Sequence, residues 1–155
     1  MDLGNNKDLG PLAGAVVADG LLGGATPALR KLLLDATSLG DAGAAALAAA
    51  FRAGAAPQLT ELSLTSNGLS AVGVAALSSC LGDASLAALE VLDLSINDMG
   101  VAGAGALALG LRAAPAGSLA LRSLRLDEVG FSSLHLVILA APPYPCYISY
   151  LTTFP

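Results

Sequence analysis

The sequence has few of the residue types that carry catalysis or metal binding. Its 155 residues include no tryptophan, one histidine, two cysteines, and three each of tyrosine and phenylalanine. Neither Cys80 nor Cys146 has a second cysteine or a histidine at metal-ligand spacing, so neither a metal nor another cofactor is expected. The net charge is −5, and the seven Lys and Arg form no basic stripe. This pattern argues against nucleic acid as a partner.

Long apolar runs are also missing. The longest stretch without a charged residue, 129–155, is interrupted by Pro142, Pro143 and Pro145. Neither side of this break has the roughly 20 continuous apolar residues that a membrane-spanning helix needs. The N-terminus has no basic start followed by an apolar run, so we expect no secretory signal. The sequence therefore favours a location in the cytosol or the nucleus, without a membrane partner.

What the sequence does contain is a repeat with a period of 30 residues. Three segments beginning at Leu29, Leu59 and Leu89 align without a gap. The further aligned columns are Leu32, Leu62 and Leu92; Leu34, Leu64 and Leu94; Thr37, Asn67 and Asn97; Leu39, Leu69 and Met99; Gly43, Gly73 and Gly103; Leu47, Leu77 and Leu107; and Phe51, Leu81 and Leu111. Such agreement over strand-like and helix-like positions indicates one repeated structural unit.

The spacing within each repeat predicts one strand followed by one helix. Leu62 and Leu64 are two residues apart, so both point to the same side of a short strand. Leu77 and Leu81 are four residues apart and lie on one stripe of a helix that can cover the strand leucines. Each unit is incomplete alone, and stacking copies buries a continuous core.

These columns match the pattern L-x-x-L-x-L-x-x-N-x-L and resemble the leucine-rich-repeat family. The helix that follows, as in GVAALSSCL, is similar to the ribonuclease-inhibitor subtype, and the resemblance covers roughly residues 28–131. It implies an α/β solenoid, a short horseshoe segment with parallel strands on the concave face and helices on the convex face. It also implies that Asn67 and Asn97 bond the backbone of neighbouring turns.

The glycine column has a structural interpretation. Gly43, Gly73 and Gly103 belong to no phosphate-binding motif, so we expect them to allow close approach of each helix to the strand layer.

The two ends of the array are irregular. Continuing the register backwards places Leu9, Val17 and Leu21 at helix positions, with Lys7 at the asparagine position and no strand. A register starting from Leu3 and Asn6 is the less favoured alternative. The expected divisions are a partial repeat or cap over 1–27, repeats over 28–58, 59–88 and 89–120, a degenerate repeat over 121–141, and an irregular tail over 142–155.

No set of residues indicates an active site, so we expect no catalytic residues and no enzyme. His135 is the only histidine and lies among apolar residues, which favours a packed or surface side chain. A pair formed by Cys80 and His135 has no orienting partner and falls in different repeats. Asp127 and Glu128 follow the fourth strand, where a solvated turn accounts for them.

The outward strand positions form the candidate binding site for a protein partner. They line the concave side of the stack with both signs of charge, which suits a protein surface better than a small-molecule pocket. Three columns make up this face: Lys31, Glu61, Val91 and Ser123; Leu33, Ser63, Asp93 and Arg125; and Asp35, Thr65, Ser95 and Asp127.

Two other functions stay open on the sequence. Ran GTPase-activating proteins look similar in repeat type, and their activity depends on a positioned arginine, although nothing in the sequence marks Arg52 or Arg112 as such. The chain also resembles the repeat part of larger nucleotide-binding, leucine-rich-repeat sensors. It carries no phosphate-binding motif, so that function would require segments outside this sequence.

Overall fold

The computed structural model describes residues 1–24 and 27–130, together with the backbone of Tyr147–Ser149. Short strands alternate with helices of 12 to 14 residues. In chain order, after a 3-10 helix at Lys7–Leu9, the elements are α1 Gly10–Leu22, β1 Lys31–Leu33, α2 Gly40–Arg52, β2 Glu61–Ser63, α3 Ala71–Gly82, β3 Val91–Asp93, α4 Gly100–Ala113, β4 Ser123–Arg125 and β5 Tyr147–Ser149.

The strands form one parallel sheet in the order β1-β2-β3-β4-β5. Leu32 pairs with Leu62, Leu62 with Leu92, and Leu92 with Leu124, so each repeat pairs in register with the next. Helices α1 to α4 pack side by side in the same sequence. The α/β solenoid segment expected from the repeat pattern is confirmed.

The core lies between the sheet and the helices. The paired strand leucines are at most 2% exposed, and the helix column that includes Leu47 and Leu77 packs over them. Phe51 fills the same layer at the end of α2 and is fully buried. Within residues 1–24 and 27–130, no helix is both long and apolar enough to cross a bilayer.

A ladder of buried asparagine side chains joins the repeats behind the sheet. Oδ1 of Asn67 accepts hydrogen bonds from the backbone N–H groups of Thr37 and Leu39, each at 3.1 Å, and its Nδ2 donates to the Leu34 carbonyl at 2.7 Å. Asn97 makes the equivalent bonds to the turn of the preceding repeat, with Oδ1 accepting from the backbone N–H groups of Asn67 and Leu69 at 3.0 Å. The bonds to neighbouring turns implied by the family resemblance are therefore present.

The residue before each asparagine position has a left-handed backbone conformation. The five residues at this position have φ between +52° and +62°: Asn5, Ala36, Ser66, Ile96 and Glu128. None of them is glycine, and the sequence offers no sign of the turn. A β-branched residue is the least suited to this conformation, so Ile96 carries the largest backbone strain of the set.

The N-terminal register differs from the favoured prediction. Leu3 N–H donates to Leu33 O and Leu33 N–H to Met1 O, so a strand-like segment does precede β1. Asn6, not Lys7, takes the asparagine position, because its Nδ2 donates to the carbonyls of Leu3 and Gly4 as Asn97 does to its own turn. One extra residue in the 3-10 helix shifts the strand out of the 30-residue register. The segment before β1 forms a single isolated bridge at Asp2 and not a regular strand, so the correction concerns the register and the asparagine position.

At the other end, Val129 takes the asparagine position as predicted. Its carbonyl accepts from Gly100 N–H at 3.1 Å, as the Asn67 carbonyl does from Gly40. The valine side chain has no oxygen to accept from Asn97, so the ladder ends there. Strand β5 lies within the segment expected to be an irregular tail, and its backbone pairs with β4. His135 and the rest of the tail lie outside the described residues.

The predicted glycine column does mark close approach, but against different neighbours. A Cβ at Gly43 would lie 2.5 Å from Cγ of Leu39, and one at Gly103 would lie 2.5 Å from Cβ of Met99. A Cβ at Gly73 would lie 2.5 Å from Oδ1 of Asp41 in the preceding repeat. The expectation of contact with the strand layer is thus corrected: these glycines make room for the residue before their own helix or for the neighbouring helix.

Asp41 caps the helix of the following repeat. Its carboxylate accepts from the backbone N–H groups of Ser70 at 2.9 Å and Gly73 at 3.0 Å, and from the Ser70 hydroxyl at 2.6 Å. Partial burial by itself would raise the pKa of Asp41, but these hydrogen bonds outweigh it and lower the pKa below its ordinary value. The ionised form of the side chain therefore makes the stronger link between the two repeats.

Asn67→Ala should lower the free energy of unfolding by about 3 kcal/mol, because two buried N–H groups lose their acceptor. Asn6→Ala is the matched control, since it removes the same side chain from the exposed end of the ladder, and it should cost less than about 1 kcal/mol. Urea unfolding followed by circular dichroism measures both. Equal losses of unfolding free energy for the two variants would show that the buried asparagine contributes no more to stability than the exposed one.

Lowering the pH should remove the stabilisation that Asp41 provides. Its folded-state pKa lies below the unfolded value, so this contribution is complete above about pH 4 and is lost as the pH falls through the folded pKa. Asp41→Asn should flatten the acid limb of stability against pH, whereas Asp19→Asn on exposed α1 should leave it unchanged. Thermal melts from pH 7 to pH 2.5 measure how stability depends on pH. Identical curves for Asp41→Asn and the wild type would show that Asp41 does not stabilise the fold.

Replacing Ile96 should relieve backbone strain. Ile96→Asn should raise the free energy of unfolding by about 1 kcal/mol, because asparagine tolerates the left-handed region. Val101→Asn removes a similarly exposed β-branched residue from the regular helix α4 and should bring no gain. Denaturant melts of both variants decide the matter; a loss on Ile96→Asn would rule out strain at this turn.

Candidate functional site

The concave face of the sheet is built from the outward strand positions. Strand pairing aligns Lys31, Glu61, Val91 and Ser123 in one column and Leu33, Ser63, Asp93 and Arg125 in a second. The third column, one residue beyond the strands, contains Asp35, Thr65, Ser95 and Asp127. All twelve sequence-predicted site residues therefore lie on one surface, because the register is in step across β1 to β4.

Hydrogen bonds hold two of these carboxylates in place. Oδ1 of Asp35 accepts from the Ser63 hydroxyl and from the Thr65 N–H at 3.1 Å. Asp93 accepts from the Ser95 N–H at 3.0 Å. Ser63 and Ser95 are themselves buried, at 8% and 6% exposure. The Ser63 hydroxyl donates to Asp35, and the Ser95 hydroxyl accepts from the Asp127 N–H at 3.2 Å, so both serine side chains are engaged within the sheet.

Both basic residues of the face are paired with carboxylates in neighbouring strands. Nζ of Lys31 lies 2.6 Å from Oε2 of Glu61, and Nη1 of Arg125 lies 3.5 Å from Oδ2 of Asp93. The cations are half or more exposed, whereas their acidic partners are largely covered. Ion pairs of this exposure contribute little to stability, so they act mainly by orienting the side chains.

A shallow depression of about 310 Å³ lies in the centre of the face. Oxygen atoms dominate its polar lining, which comes from Asp35, Glu61, Ser63, Thr65 and Asp93, with Arg125 at one side. Leu33 and Val91 give it a partly apolar wall. Such a lining suits a partner that brings hydrogen-bond donors, because most of the polar groups present are acceptors.

Arg52 and Cys80, which the sequence raised for other chemistry, lie away from this face. Arg52 is in the last turn of α2 and pairs with Asp83 at 3.3 Å in the helix layer. Cys80 is buried within α3, and burial, followed by the negative charge of Asp83, raises the pKa of its thiol to about 11. Among residues 1–24 and 27–130, no three His, Cys, Asp or Glu side chains are grouped to hold a metal ion.

Comparison with known families agrees with this architecture. A family profile described as Leucine Rich repeat matches residues 56–78 and 85–108, which include β2 and β3 and the first turns of α3 and α4. No curated protein sequence matches the chain. Leucine-rich repeats are generally modules for protein interaction. The two profile matches and the stacked strand–helix units together support a leucine-rich-repeat protein.

Proposed function

We propose that this protein binds a partner protein on the concave face and has no catalytic activity of its own. The observation that carries the proposal is the in-register alignment of the outward residues on β1 to β4, which produces a continuous surface of mixed charge. Four strands at about 4.8 Å spacing make this surface roughly 15 to 20 Å wide. A protein segment of modest size fits such a surface.

The chemistry of the face supports a partner that supplies hydrogen-bond donors and at least one cation. Four carboxylates lie on the three columns against two basic residues: Asp35, Glu61, Asp93 and Asp127 against Lys31 and Arg125. Pairing of Lys31 with Glu61 and of Arg125 with Asp93 fixes where the charges lie before binding. A prearranged pattern of this kind sets the orientation of a partner and speeds its association.

The ribonuclease-inhibitor-like subtype is part of the same proposal. The glycine-alanine-leucine helices α3 and α4 support it. The cytosol or the nucleus is the proposed place of action, since the free thiol of Cys80 is compatible with a reducing compartment.

Capture from native cytosol should depend on the concave face. Glu61→Ala, Asp93→Ala and Arg125→Ala combined should reduce the specifically captured protein by about tenfold or more, as expected for loss of central charged contacts. The matched control removes a comparable exposed ion pair from the helix layer through Arg52→Ala and Asp83→Ala. Quantitative mass spectrometry of proteins retained on each immobilised variant gives the comparison.

Folding is checked separately by circular dichroism and thermal melts, because exposed ion pairs are worth at most about 1 kcal/mol and both variants should stay folded. The proposal fails if the concave variant retains the same proteins as the wild type, or if the control loses them equally.

A further inference from the structure

We propose that Ile96 is an apolar contact for the partner protein at the edge of the concave face. The partner segment that it fits places an apolar side chain on Ile96 and a lysine or arginine beside it. The contact at Ile96 rests on the proposed function and adds to it the chemistry of the partner. Ile96 lies just after β3, which is paired with β2 on one side and β4 on the other.

The first observation is the strained backbone of Ile96. Its φ is +55°, a conformation that disfavours a β-branched residue. The residues at the same position of the other turns are Asn5, Ala36, Ser66 and Glu128, so the turn itself does not require a branched apolar side chain. Backbone strain of this kind is concentrated at binding and catalytic sites. An isoleucine at this position therefore indicates a role outside the fold.

The second observation is the exposure of the side chain inside the stack. Ile96 is 49% exposed, so about half of it is left for a partner to cover. This exposure does not arise at an end of the array, because the turns on both sides are in place. Ser66 N–H donates to Ser95 O at 3.0 Å, and Ile96 N–H donates to Asp127 O at 2.6 Å. These backbone bonds hold the exposed side chain on a fixed turn.

The position of Ile96 separates it from other exposed apolar side chains. It follows Ser95, which belongs to the third column of the concave face. Apart from Met1, the other exposed large apolar side chains in residues 1–24 and 27–130 lie on helices: Leu9, Leu12, Val16, Leu22, Val72, Val101 and Leu109. A partner lying on the concave face therefore reaches Ile96 without contacting the helix layer.

The third observation is the charge of the turns around Ile96. The turns that follow β1 to β4, at 34–39, 64–69, 94–99 and 126–130, contain no Lys or Arg. Their acidic residues are Asp35, Asp98, Asp127 and Glu128. Glu128 takes the position of Ile96 in the following turn, and Asp98 is exposed in the same turn as Ile96. A cation beside the apolar group of the partner is complementary to these charges, whereas they repel an anionic membrane or nucleic acid.

Synthetic peptides of about eight residues test this chemistry, because in extended form they exceed the width of the face. One set has a central leucine flanked by arginines, a second has serine in place of the leucine, and a third has glutamates in place of the arginines. Fluorescence anisotropy with the full chain compares the three sets. The wild type should bind the first set at least about fivefold more tightly than the second and about tenfold more tightly than the third.

Three variants assign the leucine preference to a residue. Ile96→Asn should abolish the preference for leucine over serine, whereas Ile96→Leu should keep it, because the apolar side chain is retained. The matched control is Val101→Asn, which removes a 52% exposed apolar side chain from α4 and should leave the preference unchanged. The proposal is overturned if the wild type does not prefer leucine, if Ile96→Asn keeps the preference, or if Val101→Asn loses it equally.

Thermal melts distinguish a partner contact from packing within the chain. Ile96→Asn should raise the thermal midpoint by about 3 °C, because it relieves strain and removes no packing that the fold needs. A lower midpoint would show that another part of the chain covers Ile96, and it would overturn the proposal. If the combined variant of Glu61, Asp93 and Arg125 loses its captured proteins but Ile96→Asn keeps the leucine preference, the contact at Ile96 fails and the proposed function stands.

Discussion

The rest of the structure depends on the hydrogen bonds of two buried side chains, Asn67 and Asn97. Each bonds backbone donors and acceptors in the turn of the preceding repeat, and these groups are buried where water cannot replace the asparagine as their partner. An unmet backbone group there costs about 1–3 kcal/mol, so the turns must stay aligned. Because the turns are aligned, the three-residue strands stay in register. Strands this short could not fix their register alone.

The proposed binding face is a consequence of that register. A slip of one residue would turn the leucines outward and the charged residues inward. With the register held, carboxylates from successive repeats lie side by side, and Ser63 and Thr65 orient Asp35 from the neighbouring strand. Stability comes from the ladder and the leucine core, whereas the face contributes little to it. Its side chains can therefore be replaced with little loss of stability.

The sequence predicts much of this arrangement and misses some of it for identifiable reasons. The 30-residue spacing determines the strand pairing, so the three columns of the face were correct. Burial of Ser63 was not predictable, because the alternation of side chains along a strand predicts which side of the sheet a residue lies on but not how far it is exposed. The left-handed turn at Ile96 carries no glycine signal. The favoured register put Lys7 and not Asn6 at the asparagine position, because one extra residue interrupts the period. The hydrogen bonds from Ser70 to Asp41 were not predicted, because they join two different repeats.

Backbone amide exchange measures the central claim most directly, because it reports on each N–H group of the ladder. The amides of Thr37, Leu39, Asn67 and Leu69 all donate to an asparagine Oδ1 in the neighbouring repeat. They should exchange as slowly as the amides in the core of α2 and α3, although they lie in turns. Exchange at the rate of the exposed turns around Gly54 would contradict the account.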